Sequence, residues 1–378
     1  MTERKPKIRF KGFSNAWEQR KAKELFISTA DKGYPDLPVL SATQDRGMIR
    51  RDENSINIFH DKKNEAGYKR VLPGQFVIHL RSFQGGFAHS AIEGITSPAY
   101  TVFGFSEPEK HDSEYWKYVF TSKAFIRRLE TVTYGIRDGR SISYDEFLTL
   151  SFVYPSKAEQ TAIARHLDKL STLLTLHQRK LDKLQTIKKA LLEKMFPKNG
   201  ESVPEIRFKG FSDAWEQRKL SDNVSYDSSN LTVKDGKEEG LYDLFDANGF
   251  IGRTDFRGFS TEYISIIKDG ASVGRIRKMP PKTMIIGTMG ALQAKNADLS
   301  FVFALLSQFE LNKTFTGSTI PHIYFKDYGN NIYFFPQINE QKSIGMIFSA
   351  IDDLITLHQR KLDKLQMIKK ALLEKMFV

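Results

Sequence analysis

A chain of 378 residues is too long for one ordinary domain and comfortable for two, and its 40% apolar content is enough for real cores. It contains no cysteine, which excludes disulfides, thiolate metal sites and a cysteine nucleophile. It also has no apolar run of about 18 residues and no signal core at its start, which points to a cytoplasmic protein. The formal charge of +12 calls for an anionic partner, nucleic acid first.

The chain opens on a basic arm, with seven Lys and Arg against two acidic residues over 1–21. Its segment 8–21, IRFKGFSNAWEQRK, returns at 206–219 with one change, Asn15 to Asp213. A first block runs from Ala22 to Pro155 and is electrically balanced, with 17 basic and 17 acidic residues over 22–156. Short β-rich runs dominate it: VLSAT (39–43), FVIHL (76–80), AYTVFGF (99–105) and LTLSFVY (148–154), punctuated by Pro73-Gly74 and Gly85-Gly86. Trp116, Phe120, Phe125 and Leu129 recur near helical spacing and predict one helix over 113–131. The block reads as an α+β globule.

From Ser156 to Phe196 neither Gly nor Pro interrupts the chain, and 157–200 holds ten basic against four acidic residues. The apolar seam Ile163, Leu167, Leu170, Leu174, Leu181, Leu184, Leu191, Met195 steps by fours and threes, a heptad pattern. The second arm then leads into a second block, Leu220 to Pro336, again neutral over 219–336 with 13 residues of each sign. Its strand-like pieces are YISII (263–267), TMIIGT (283–288) and NIYFF (331–335), with a helix predicted at Asp298 to Leu311. The blocks share little identity. Both nevertheless end on a strand, then Pro155 or Pro336, then a Glu-Gln pair, Glu159-Gln160 or Glu340-Gln341. They read as one fold with different surfaces.

The last segment repeats the long helix. LHQRKLDKLQ (176–185) and IKKALLEKMF (187–196) return unchanged at 357–366 and 368–377, a common offset of 181, so the chain is an internal duplication. The arms are offset by 198, which makes the first block 17 residues longer. The expected organisation is an arm and block over 1–155, a long helix over 156–198, a second arm and block over 199–336 and a second long helix over 337–378. A rod with one apolar seam needs a partner, and the nearest is its own copy. An antiparallel pair related by a pseudo-two-fold avoids crowding both blocks at one end. The polar seam positions His177/His358 and Lys188/Lys369 recur in both copies. The His pair near the middle is either a tolerated polar contact or a device that fixes register.

Two dissimilar blocks, each opened by RFKGFSxAWEQRK and followed by a helix ending in IKKALLEKMF, resemble the DNA-specificity subunit of type I restriction-modification enzymes. The resemblance covers essentially the whole chain. It implies an α+β fold with two α/β target-recognition domains, each followed by a long helix, the helices pairing antiparallel as a coiled-coil spacer. It implies a non-catalytic subunit whose domains each read one half of a split, asymmetric site in double-stranded DNA. Its partners would be modification (methyltransferase) and restriction (translocase and endonuclease) subunits. No cofactor would be bound by this chain itself, with S-adenosylmethionine, ATP and Mg on the partners. Two other classes stay open at this point: a solitary methyltransferase or nuclease with diverged motifs, and a coiled-coil scaffold that binds proteins only.

The chain's own chemistry agrees with a reader. Ser97-Pro98-Ala99-Tyr100 imitates the Pro-Pro loop of amino-methyltransferases, but Ala99 replaces the second Pro and no Gly-rich cofactor loop accompanies it. No phosphate loop is present, and no His pair has metal-ligand spacing. Reading bases requires forked or two-faced side chains on loops that a scaffold can aim. In the first block the candidates are Gln44, Arg46 and Arg50, then Arg81, Ser82 and Gln84, then Arg137, Arg140 and Ser141. In the second they are Asn248, Arg253 and Arg257, then Arg275 and Arg277 on one face of a strand, then Ser318, Thr319 and His322. Lys188, Lys189, Lys194 and Lys198 on the first helix would face phosphates, acidic partner surfaces or simply solvent.

Overall fold

The computed structural model describes residues 5–43, 45–53, 62–79, 82–134, 141–198, 200–309, 311 and 321–377. The chain divides into two compact units, one of residues 1–176 with 362–378 and the other of residues 177–361. Among the described residues no helix is long and apolar enough to cross a membrane.

The first unit is built on a four-stranded antiparallel sheet in the order Phe26–Thr29, Thr101–Phe105, Phe76–Ile78, Ala88–His89. The second unit has the same sheet in the same order: Val224–Ser228, Met289–Ala294, Tyr263–Ile267, Ile276–Met279. A hairpin flanks each sheet, Leu40–Ala42 with Met48–Arg50 in one and Tyr242–Phe245 with Phe250–Thr254 in the other. Each hairpin also runs parallel to the strand before the long central one, at Val39 beside Ile95 and at Asp243 beside Thr283. One frame is therefore filled twice. The first filling is aromatic, with Phe26, Phe76, Phe103, Trp116, Phe120 and Phe147 buried together and Phe76 edge-on to Phe120 at 4.9 Å. The second is more aliphatic, with Ile264, Ile266, Leu292, Val302 and Leu305 around Phe301.

The helix expected over 113–131 is two helices, Ser113–Phe120 and Lys123–Leu129. Thr121 closes the first and Ser122 caps the second, its hydroxyl accepting the Phe125 N–H at 3.1 Å. The turn also carries a packing constraint. Gly86 lies against the Phe120 carbonyl at φ +84°, and any Cβ there would collide with that carbonyl. In the second block the helix runs Leu299–Leu306, capped by Asp298.

The repeated arms are strands. Glu18–Lys21 pairs antiparallel with Ser151–Tyr154, and Glu216–Lys219 with Ile332–Phe335. Ahead of them, Arg9 forks onto Glu159 through Nε and Nη2, both at 2.7 Å, and Arg207 grips Glu340 at the same two distances. Both glutamates are 1% exposed. The adjoining glutamines explain the shared Glu-Gln pair. Gln160 donates to the Pro155 carbonyl at 2.9 Å and accepts the Asp112 N–H at 2.9 Å; Gln341 does the same with Pro336 and Asp298 at 2.8 and 3.0 Å. Asp112 and Asp298 are the caps of the two domain helices. The first turn of each long helix thus holds the arm on one side and aims the block's own helix on the other.

The long helices run Lys157–Lys194 and Ile338–Lys375. In the first unit Ile163 and Leu167 of one helix share a core with Leu372 and Met376 of the other. In the second, Ile344 and Phe348 meet Leu191 and Met195. Start meets end in each case, so the pairing is antiparallel, and residues offset by 181 make the same contacts. In the second unit the Nδ1 atoms of His177 and His358 lie 2.8 Å apart, and Lys188 donates to Asp352 at 2.5 Å.

Two predictions follow from this packing. Arg9→Ala or Arg207→Ala leaves a buried carboxylate without its partner, which costs about 3–5 kcal/mol, while replacing both members of a pair with Met and Leu recovers most of that loss; urea unfolding of single and paired variants measures the difference. Acid should also weaken the first unit. His89 and His111 are 6% and 7% exposed, and burial pushes both imidazoles below the ordinary value of 6.5. They therefore fold neutral, so their contribution is held above about pH 6.5 and lost as the pH falls below it. The urea midpoint should drop between pH 7.5 and 5.5. His111→Phe, in place of a ring stacked 4.7 Å from Phe105, should flatten that slope.

Candidate nucleic-acid interface

The described parts of the loops singled out in each block occupy matching places in the frame. The first is the hairpin turn. In the first unit Thr43 closes it, accepting the Arg46 N–H at 3.0 Å and donating to the Gly47 carbonyl at 2.8 Å, and Arg46 and Arg50 are exposed. In the second unit Asp246 closes it, accepting from the N–H groups of Asn248 and Gly249 at 2.7 and 2.8 Å, and Asn248 is exposed.

The second loop joins the third and fourth strands of the sheet. In the first unit it contains a short helix, Ser82–Gly85, in place of the open loop expected there. Ser82 is wholly buried and its hydroxyl accepts the His79 N–H at 2.9 Å, so it serves the fold and is no base reader. Gln84 is exposed. In the second unit the loop spans Lys268 to Arg275. Arg275 stands one residue before the strand that begins at Ile276, its carbonyl still accepting from Ile267 N–H at 3.0 Å; Arg277 is half-buried and Arg275 is exposed. Arg275 donates to the Ala247 carbonyl in the hairpin turn.

The third loop precedes the short helices Tyr144–Phe147 and Phe325–Tyr328. In the first unit the helix Ser82–Gly85 packs against the strand Ser141–Ile142. In the second, Gly270 donates to Pro321 at 3.0 Å, Ile323 donates to Lys268 at 2.9 Å, and His322 Nδ1 lies 2.6 Å from Asp269. In the second unit the connection from Lys268 to Arg275 is therefore tied to the hairpin turn by Arg275 and to the segment at Pro321–Ile323 by Asp269 with His322. Gln44, Arg81, Arg137, Arg140, Ser318 and Thr319 lie outside the described residues, as does the side chain of Ser141. Arg253 and Arg257 are exposed on and just beyond the outer hairpin strand, with Arg253 3.2 Å from Asp243. Exposed pairs of this kind, Arg50 with Asp52 at 3.3 Å included, are weak enough to exchange for a phosphate.

Sequence reasoning missed Asp246 and Asp269. The first had a local signal, an Asp two and three residues before Asn248-Gly249. The second had none, because its partner lies 53 residues away.

Ser97-Pro98-Ala99-Tyr100 is a turn into the strand Thr101–Phe105, closed by Tyr100 N–H to the Ser97 carbonyl at 3.1 Å. Among the described residues no group of three or more His, Asp or Glu side chains is placed to hold a metal. Three of the four lysines are engaged within the chain, and Lys198 lies beyond the helix end at Lys194. Lys188 holds Asp352, while Lys194 and Lys198 share Glu205 at 2.7 and 3.2 Å.

Comparison with known proteins agrees with this frame. Residues 212–367 match the family model described as the type I restriction modification DNA specificity domain. A curated relative, the type I restriction enzyme MjaVIII specificity subunit of Methanocaldococcus jannaschii, is 28% identical over 178 residues; the match covers 43% of this chain and only 42% of that relative's length. The crystal structure of the type I restriction-modification S subunit from M. genitalium superposes with a TM-score of 0.69 over 99% of both chains at 16% identity, which establishes the fold. The HsdS subunit from Thermoanaerobacter tengcongensis gives 0.43 at 14% identity over 96% of each chain and adds no weight. With residues 212–367 matching the domain model and the first unit repeating the second unit's frame strand for strand, the chain is similar to type I restriction-modification DNA specificity subunits.

Proposed function

We propose that this chain is the non-catalytic, DNA-reading subunit of a type I restriction-modification complex, acting in the cytoplasm, with each unit reading one half of a bipartite asymmetric site. One observation carries the reading: the same frame appears twice, and among the described residues its hairpin turn and the connection between its third and fourth strands carry different polar side chains in each copy. A frame that is kept while its loops differ suits two readers of different sequences.

The helices suit docking of the modification subunits. Outside the seam, Leu173, Leu176 and Ile187 stand exposed, and the repeat sets Leu354, Leu357 and Ile368 at the same places on the second helix. Apolar side chains at heptad spacing on a face that the seam does not use are suited to a partner helix. S-adenosylmethionine, ATP and Mg belong to the partners in this reading. The restriction subunits would join through the modification subunits or directly.

The test is an exchange. Residues 22–155 are replaced by the corresponding block of a relative, the variant is assembled with the modification subunits, and the methylated motif is mapped. One half of the motif should change and the other stay. A change in both halves, or in neither, overturns the assignment of one reader per unit. Methyl transfer by the purified chain alone would sink the non-catalytic reading, and a complex without sequence-selective DNA binding would favour a protein-binding scaffold.

A further inference from the structure

We propose that Asp269 and His322 form a base-reading dyad in the second unit, with His322 Nε2 accepting a hydrogen bond from the exocyclic amino group of adenine or cytosine in the major groove. The inference rests on the DNA-reading function above and assigns one of its contacts to a single atom.

The geometry begins with the carboxylate. Asp269 Oδ1 lies 2.6 Å from His322 Nδ1. An ionised carboxylate has no hydrogen to give, so Nδ1 carries it and donates. The other ring nitrogen, Nε2, is then the one left for an outside partner. On the neutral ring it bears a lone pair and can only accept. In the major groove the groups that donate are the amino groups on adenine N6 and cytosine N4.

The ring is placed for such a contact. The His322 side chain is 37% exposed, and its ring lies at 21° to that of Tyr324, 6.4 Å between centroids. It stands against the connection that carries Asp269, and Arg275 joins that same connection to the hairpin turn. A merely structural role for the pair is already filled by the backbone. Gly270 bonds to Pro321 and Ile323 bonds to Lys268 on either side of it, so the two segments are fastened without either side chain. What the carboxylate adds is a fixed tautomer and a fixed ring orientation, which a base contact needs and a loop fastening does not.

The experiment selects bound sequences from a randomised duplex pool, using the full chain assembled with its modification subunits, at pH 8. His322→Ala should lose discrimination at one position of one half-site, by roughly 10- to 100-fold, with every other position and the unfolding midpoint unchanged. Asp269→Ala should relax the same position. Asp269→Asn, whose side-chain oxygen still accepts from Nδ1, should keep most of the discrimination. Uniform weakening of the half-site, relaxation at different positions by the two alanine variants, or an unchanged preference in both would each overturn the dyad. If the wild-type complex itself selects no bipartite sequence, the functional reading fails first. If it does and the variants match it, only the dyad fails.

Discussion

The structure depends on a buried fork. Arg9 and Arg207 each set two charge-assisted hydrogen bonds on a glutamate that water scarcely reaches. Burying a carboxylate is costly unless its charge and lone pairs are met, and a bidentate guanidinium meets both at once. The consequence is geometric. The arm must reach the first turn of the long helix, so its strand is brought alongside the strand that ends the block. The glutamine next to each glutamate then fixes the block's domain helix through its capping aspartate. Arm, block and rod are aligned by two adjacent side chains, and this small device is what the two units have in common where their blocks differ in nearly every residue.

Small differences between the copies show that the alignment is maintained by compensation. Asn15 and Ser156 in the first unit stand where the second has Asp213 and Gln337, and there Gln337 donates to Asp213 at 2.6 Å. At the seam lysines the acidic residue moves by one helical turn. Lys188 finds Asp352, whereas Lys369 finds Ser171 at the position equivalent to Asp352, and Asp168 one turn earlier is taken by Lys117 and Tyr118. Burial, with Lys117 close by, holds the Lys369 ammonium below its ordinary value despite Asp168. A polar seam position is thus retained in both units with different partners.

Much of this was legible in the sequence, because repetition and heptad spacing are carried by the chain itself. The offset of 181 predicted two helices of one kind, and Ile163, Leu167, Leu191 and Met195 proved to be seam residues because their spacing depends on nothing beyond the helix. The Glu-Gln pair marked a shared junction, although its reason lay in Arg9 and Arg207, more than a hundred residues distant in each case. The loops were harder. Composition did not tell an exposed side chain from a buried one that fastens its own loop, and Ser82 was misjudged on that account. Asp269 escaped altogether, since a side-chain pair across 53 residues leaves no periodicity to read. The break at Ser122 was also hidden, because the apolar spacing runs on through it.

The end of each long helix completes the core of the other block. Met376, with Leu372, Leu373 and Phe377, packs into the first, and Met195 and Phe196, with Leu191 and Leu192, into the second. These ends are identical in sequence. Each block therefore folds against the same surface whichever place it holds in the chain, and the selection acting on that surface is shared between two cores. A substitution that improved the fit of one block at a helix end would break the identity of the ends unless the other copy changed as well. The repeat thereby acts as a common socket: blocks may diverge freely in what they present outward, provided that the face they turn to the socket does not.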